Sequence, residues 1–257
     1  MVGHMNDMGN ERQLTDRAKH EIAHGRFLAS SEATEGIWGW GTPAGQVRAA
    51  RRAAYIMQGA HLEANRRALE IGCGTGLFTS YFAETGAHIT AVDISPELLE
   101  KARERKLAAD KVTYVEGRFE DLATDEGYDA IIGSSVLHHL EVEQSLQVMF
   151  RLLTPGGRIS FAEPNMLNPQ IFCERHFRRF FPQVSPDETA FVRWALARKL
   201  REIGFDTISI KPFDWLHPAT PKSWISCVSS ISRVLERVPI VREFSGSLWI
   251  SARRPLT

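Results

Sequence analysis

From about residue 66 the chain alternates short β-rich runs with longer stretches carrying helix punctuation, and this alternation constrains the fold more than any other feature. Candidate strands are Arg67–Ile71, His88–Val92, Val112–Val115, Tyr128–Ser134 and Arg158–Ala162. Between them, Ser95 sets a capping hydroxyl ahead of Pro96 at the first helical position and opens a helix through Leu107. Leu146, Met149, Phe150 and Leu153 recur at helical spacing, and that segment stops at Pro155-Gly156-Gly157. Strands separated by helices run parallel through right-handed crossovers, so the pattern predicts an open α/β sheet covered on both faces.

Beyond residue 163 the rhythm breaks. Pro164–Val184 is irregular, with Phe172, Phe177, Phe180 and Phe181 set among Arg175, His176, Arg178 and Arg179. Ser185-Pro186-Asp187-Glu188 then reads as a capping box with proline at N1, opening a helix that buries Val192, Leu196, Leu200 and Ile203 and ends at Gly204. Two last strand candidates, Asp206–Lys211 and Ser247–Arg253, flank a long connection rich in Trp, Pro and Ser. Residues 1–20 are polar and show no periodicity.

The strongest chemical signal is Leu69-Glu70-Ile71-Gly72-Cys73-Gly74-Thr75-Gly76, running from the first strand into a helix. Glycines there let the backbone turn sharply and approach a ligand closely. Asp93 stands at the tip of the second strand, where a carboxylate can accept the hydroxyls of an adenosine ribose. The spacing is GxGxG: the third glycine of a dinucleotide fingerprint would fall on Leu77 or Thr79, and no Lys-Ser/Thr follows to make a phosphate loop.

These residues resemble the class I S-adenosylmethionine-dependent methyltransferases, in their small-molecule branch, over roughly residues 66–165. Glu70, Gly72, Cys73, Gly74 and Gly76 look like the family's first motif, whose backbone cradles the methionine part of the cofactor S-adenosyl-L-methionine. Asp93 and Ile94 look like the second, with Asp93 on the ribose and Ile94 against adenine. Gly117–Leu122, including Phe119 and Glu120, matches the segment that borders adenine. Ser134 through Leu140 resembles the loop beneath the methyl donor, and Leu152–Gly157 the turn into the fifth strand. The family often has an acid where Arg118 stands, so the resemblance passes the adenine amino contact to Glu120 or to a backbone carbonyl. It also implies a Rossmann-like three-layer sandwich, with a seven-stranded, mostly parallel sheet whose last strand is reversed.

Upstream, Trp38-Gly39-Trp40 leads into Arg48, Arg51 and Arg52. Small-molecule members place an N-terminal segment over the cofactor, so Trp40 is expected to line the transfer cavity and Arg48 to meet the cofactor carboxylate. The alternative is a solvated basic helix face with tryptophans packed on the sheet. Residues 1–60 are thus expected to be a helical cover. Residues 61–257 are expected to be the methyltransferase domain, with acceptor lids at about 164–190 and 214–245. His138 and His139, after the fourth strand, are the candidate bases. Cys73 reads as a packing residue, and Glu163, His217 and Asp214 are weaker polar candidates.

The reaction implied is methyl transfer to a small organic acceptor by in-line displacement, O-methylation first and N- or C-methylation as alternatives. Alignment and water exclusion supply most of the rate, and no metal is expected. Ser134-Ser135-Val136-Leu137 stands where methylases of base amines carry Asp/Asn-Pro-Pro-Tyr/Phe. Thirty-one Lys+Arg balance thirty-one Asp+Glu, which disfavours a nucleic-acid footprint. No apolar run reaches the ~20 residues of a membrane span, so no stable membrane insertion is expected. Three scattered cysteines suit a reducing cytoplasm, and a homo-oligomer is left open. A rival reading makes the domain a scaffold without turnover, with Ile171–Phe181 on a membrane surface or a partner.

Overall fold

The structure is a computed structural model describing residues 16–29, 31, 34–122, 127–177, 179 and 189–257. Seven strands form one sheet: β1 (Arg67–Ile71), β2 (His88–Asp93), β3 (Val112–Glu116), β4 (Tyr128–Ser134), β5 (Leu153–Pro164), β6 (Asp206–Phe213) and β7 (Ser247–Arg253). Their order is β3-β2-β1-β4-β5-β7-β6. The pairings from β3 across to β5 are parallel, and β7 runs antiparallel to both of its neighbours. The sheet with its reversed last strand is therefore the one the resemblance implied.

Successive side chains of a strand point to opposite faces, and the burial follows that rule. Leu69 and Ile131 join one core with Leu146 and Met149 of α6 (Val142–Leu152) and Leu196 and Leu200 of α8 (Arg193–Ile203). Their neighbours Ala68 and Ile132 join a second core on the other face. That core holds Ala53 and Ile56 of α3 (Pro43–Ala60), Phe78 and Phe82 of α4 (Leu77–Ala83) and Leu99 of α5 (Pro96–Glu104). Both faces are covered, so four successive residues of β1, Ala68 to Ile71, and four of β4, Ala130 to Gly133, are all buried. On either side of β1 the chain winds in opposite directions, toward β2 and toward β4. Such a switch point leaves a crevice at the carboxyl ends of the strands.

Several boundaries differ from the sequence reading. α5 keeps its Ser95 cap, which accepts from the Leu98 N–H, but ends at Glu104 because Lys106 turns left-handed. Leu153 leaves α6 and starts β5, where it pairs with Tyr128. The proposed capping box at 185–188 lies outside the described residues, as do 178 and 180–184. α8 opens only at Arg193, because Phe191 is extended and bridges Asn165. Two helices occupy stretches read as irregular or as a long connection, α7 (Pro169–His176) and α9 (Ile225–Leu235). In the expected N-terminal helical segment, α3 is preceded by α1 (Asp16–Ala29) and the one-turn α2 (Thr34–Ile37).

Candidate active site

At the carboxyl end of β1 the chain turns through Gly72 (φ 65°) and Gly74 (φ 53°). Both are left-handed conformations that an L side chain resists, and the space for a side chain is short as well, most of all at Gly72. A Cβ on Gly72 would lie 2.5 Å from Val136, and one on Gly74 would lie 3.3 Å from the Trp38 ring. The turn brings Gly74 against the tip of β2, where its N–H donates to Asp93 Oδ2 at 2.7 Å. Ser95 N–H donates to Asp93 Oδ1 at 2.9 Å. Burial pushes the Asp93 carboxyl up, and these N–H groups work against that push. Each oxygen retains acceptor capacity, and Asp93 lines a cavity of about 500 Å³ at the sheet's edge.

Most of the expected site residues meet in that cavity. Gly72, Cys73 and Gly74 form one wall with Asp93 and Ile94. Phe119 and Glu120 line it from the turn after β3, and Ser134, His138 and His139 from the segment after β4. Trp40 closes it from the N-terminal side, its ring edge-on to Phe78 at 5.5 Å. Arg118 also reaches the wall, 3.6 Å from Glu120 Oε2, so an acid does stand beside the arginine that departs from the family pattern.

Three expected residues do not line it. Gly76 caps α4 behind the loop. Glu70 is buried within β1, its Oε2 without a partner among the described residues, and burial, opposed by Thr79 and aided by the charge of Asp93, pushes its carboxyl up to about 8. Arg48 corrects an expectation: its Nε donates to Asp214 Oδ2 at 2.8 Å, its guanidinium lies over the Trp40 ring, and it is not on the cavity wall. All three arginines on α3 are committed to protein partners. Arg51 pairs with Glu236. The buried Arg52 donates to Ser135 Oγ at 2.8 Å, to the Ala162 carbonyl at 3.1 Å and to Ser247. Burial, with the charge of Arg48, lowers Arg52 to about 10 and leaves it cationic near neutrality. His217 is exposed and off the cavity wall.

The residue whose part the sequence did not disclose is Glu163. It is fully buried at the end of β5. Oε1 accepts from the N–H groups of Val136 at 2.9 Å and Leu137 at 3.0 Å, and Oε2 lies 2.7 Å from His138 Nδ1. Burial opposes ionisation, but His138 and the two N–H groups hold the Glu163 carboxyl below the usual range. His139 instead pairs through Nδ1 with Glu21 of α1 at 3.1 Å. Arg17, one turn earlier, donates to the carbonyls of His139 (2.6 Å) and His138 (3.1 Å). Arg17 and Glu21 line the cavity too. No helical periodicity announced them, because α1 is polar and lies on the site rather than in the core.

The α/β domain has the strand order and reversed strand of the class I methyltransferases, with a cavity at the carboxyl ends of its strands. Residues 69–161 match the family model of the methyltransferase domain, and over that stretch the chain is similar to the class I S-adenosylmethionine-dependent methyltransferases. It is 33% identical over 158 residues to a demethylmenaquinone methyltransferase of Tropheryma whipplei, covering 61% of this chain and 59% of that relative. It is 35% identical over 106 residues to a ubiquinone biosynthesis O-methyltransferase of Xanthomonas oryzae, covering 40% of this chain and 44% of the relative. The chain thus spans less than two thirds of the length of these curated relatives. Among solved structures it is similar to the N-methyltransferase NodS from Bradyrhizobium japonicum in complex with S-adenosyl-L-homocysteine. That likeness has a TM-score of 0.62 at 17% identity over 92% of this chain and 99% of the other.

Proposed function

We propose that the chain transfers a methyl group from S-adenosylmethionine to a small organic acceptor by in-line displacement. Oxygen is the first-choice acceptor atom, with nitrogen or carbon as alternatives. The observation that carries this reading is Asp93, a carboxylate fixed by two backbone N–H groups on the wall of a cavity bounded by the glycine turn. The residues present fit the cofactor: the turn is open because Gly74 has no Cβ to press on Trp38, and Asp93 keeps lone pairs for ribose hydroxyls. Ile94 and Phe119 would enclose the adenine and Glu120 would accept from its amino group. The backbone of Gly72–Gly74, with Ser134 and Trp40, would bound the amino-acid end and the transfer space.

When bound, S-adenosylmethionine supplies an electrophilic methyl on a sulfonium. The work left to the chain is orientation, water exclusion and removal of a proton from the acceptor. His138 suits the last task better than His139. With its Nδ1–H given to buried Glu163, the basic lone pair of His138 is on Nε2, while His139 is tied to α1. Residues 1–60 act as the cover, a role supported by Arg17, Glu21, Trp38 and Trp40 on the cavity wall. The segments at about 164–190 and 214–245 of the 61–257 domain shape the acceptor end. Similarity to enzymes named for demethylmenaquinone and ubiquinone biosynthesis supports a quinone-like acceptor.

The test is incubation with methyl-labelled S-adenosylmethionine and an extract of the source cell, followed by mass spectrometry of small molecules. The wild type is expected to label a metabolite. Asp93→Ala is expected to label none and to lose S-adenosylhomocysteine binding in calorimetry while retaining its circular dichroism. Wild-type protein that binds no S-adenosylhomocysteine, or Asp93→Ala that binds as well as wild type, overturns the assignment.

A further inference from the structure

α9 leaves an apolar stripe to solvent. The side it gives to the protein is mixed: Ile225, Val228 and Leu235 are half-buried, and Ser232 is buried, with Oγ accepting from Trp215 N–H at 3.1 Å and donating to Glu236 Oε1 at 2.9 Å. Glu236 is in turn held by Arg51. The side left to solvent carries large apolar residues. Trp224 is 60% exposed, Ile231 51%, Val234 58% and Val238 40%; the spacing of seven and three residues aligns the first three along one stripe, and Val238 follows just past the helix end. An ordinary surface helix leaves its polar side to solvent.

The stripe runs into a strained turn. Ile240 has φ 69° and ψ −56°, and Val241 N–H donates to the Pro239 carbonyl at 2.8 Å, which closes a tight three-residue turn of the disfavoured hand. A β-branched residue resists that conformation. Here it leaves the Ile240 side chain 76% exposed at the end of the stripe. Around the stripe the outward charge is positive, although the whole chain is balanced. Lys222, Arg233 and Arg237 are exposed, and none has an acidic partner among the described residues. The two carboxylates of the segment are turned to other arginines, Glu236 to Arg51 and Glu243 to Arg193 at 2.7 Å.

We propose that this face, from Trp224 to Ile240, docks on an anionic lipid bilayer surface. An exposed stripe of aliphatic side chains, a tryptophan at its start and cations nearby are the chemistry of a helix lying in the interfacial plane. The aliphatic side chains enter the acyl boundary, and Lys222, Arg233 and Arg237 meet headgroup phosphates. This is surface docking: no helix among the described residues is long and apolar enough to cross a membrane. The inference is independent of methyl transfer.

The experiment is co-sedimentation of the full chain with vesicles of phosphatidylcholine mixed with phosphatidylglycerol, and with pure phosphatidylcholine. Wild type is expected to sediment with the mixed vesicles and much less with the neutral ones. Ile231→Glu/Val234→Glu should lower the bound fraction on mixed vesicles at least about fivefold. Lys222→Glu/Arg233→Glu/Arg237→Glu should abolish the preference for anionic lipid. All of these side chains are exposed, so thermal melts matching wild type establish that the variants fold. Wild type remaining in the supernatant, or an apolar variant bound as well as wild type, overturns the proposal. So does a wild-type dimer in ultracentrifugation that Ile231→Glu/Val234→Glu splits, because the face would then belong to a second copy.

Discussion

Glu163 carries a charge into a place with no solvent, and the three hydrogen bonds it accepts account for its staying there ionised. The same carboxylate orders the segment after β4 through the Val136 and Leu137 N–H groups and fixes the tautomer of His138, so Glu163 is a positioning residue. If His138 is the base, His138→Ala should lower turnover about 10²-fold or more with little change in S-adenosylhomocysteine affinity. Glu163→Gln keeps the shape and removes the charge. It should lower turnover by less, about tenfold, and move the acidic limb of the pH–rate profile downward, because the imidazolium loses its counter-ion. Adding Glu163→Gln to His138→Ala should cost little more, since the two act as a unit. Full turnover in His138→Ala removes the base from the mechanism, and an unmoved pH limb in Glu163→Gln removes the positioning role.

At the scale of elements, the cavity depends on how α3 begins. Thr42 caps the helix by accepting from Gly45 N–H at 2.9 Å, and its hydroxyl donates to the Pro218 carbonyl at 2.8 Å. A Cβ on Gly45 would lie 1.9 Å from the Gly39 carbonyl oxygen. That atom is backbone and cannot yield without shifting the turn that holds Trp38 and Trp40. Gly45→Ala should therefore destabilise the fold by about 2–3 kcal/mol and weaken S-adenosylhomocysteine binding, read by urea unfolding and calorimetry. Unchanged values in both would mean the turn does not form this wall. The strands, the glycine turn and Asp93 were legible because each is written in adjacent residues: alternation, positive-φ glycines and a carboxylate at a strand tip. The pairing of His138 with Glu163 was not legible, because it joins two neighbouring strand ends across 25 residues. Nor was the direction of Arg48, which depends on Asp214 being 166 residues away. α1 gave no apolar period to read, and the start of α8 was set by the Phe191 bridge to Asn165 rather than by a capping motif.

For the molecule as a whole, balanced charge means that no large net field builds up near neutrality, so the pH dependence of stability falls to a few buried carboxyls. They pull in opposite directions. Glu163 is held below its ordinary range, so its contribution is present above the unfolded pKa and is lost as pH falls through the folded one. Glu70 is pushed up to about 8 by burial, so the folded chain holds a proton that the unfolded chain gives up. Its contribution is complete below the unfolded pKa and is lost as pH rises toward about 8. Asp93, also pushed up, acts in the same sense as Glu70. Between pH ~5 and ~8 the native state should therefore weaken as pH rises. Glu70→Gln, neutral at every pH, should flatten that slope and raise the melting temperature at pH ~8 by roughly 3 °C or more relative to wild type. Melting curves across this range decide it: parallel slopes for the two proteins would mean that Glu70 is ionised in the native state and that burial does not control its proton.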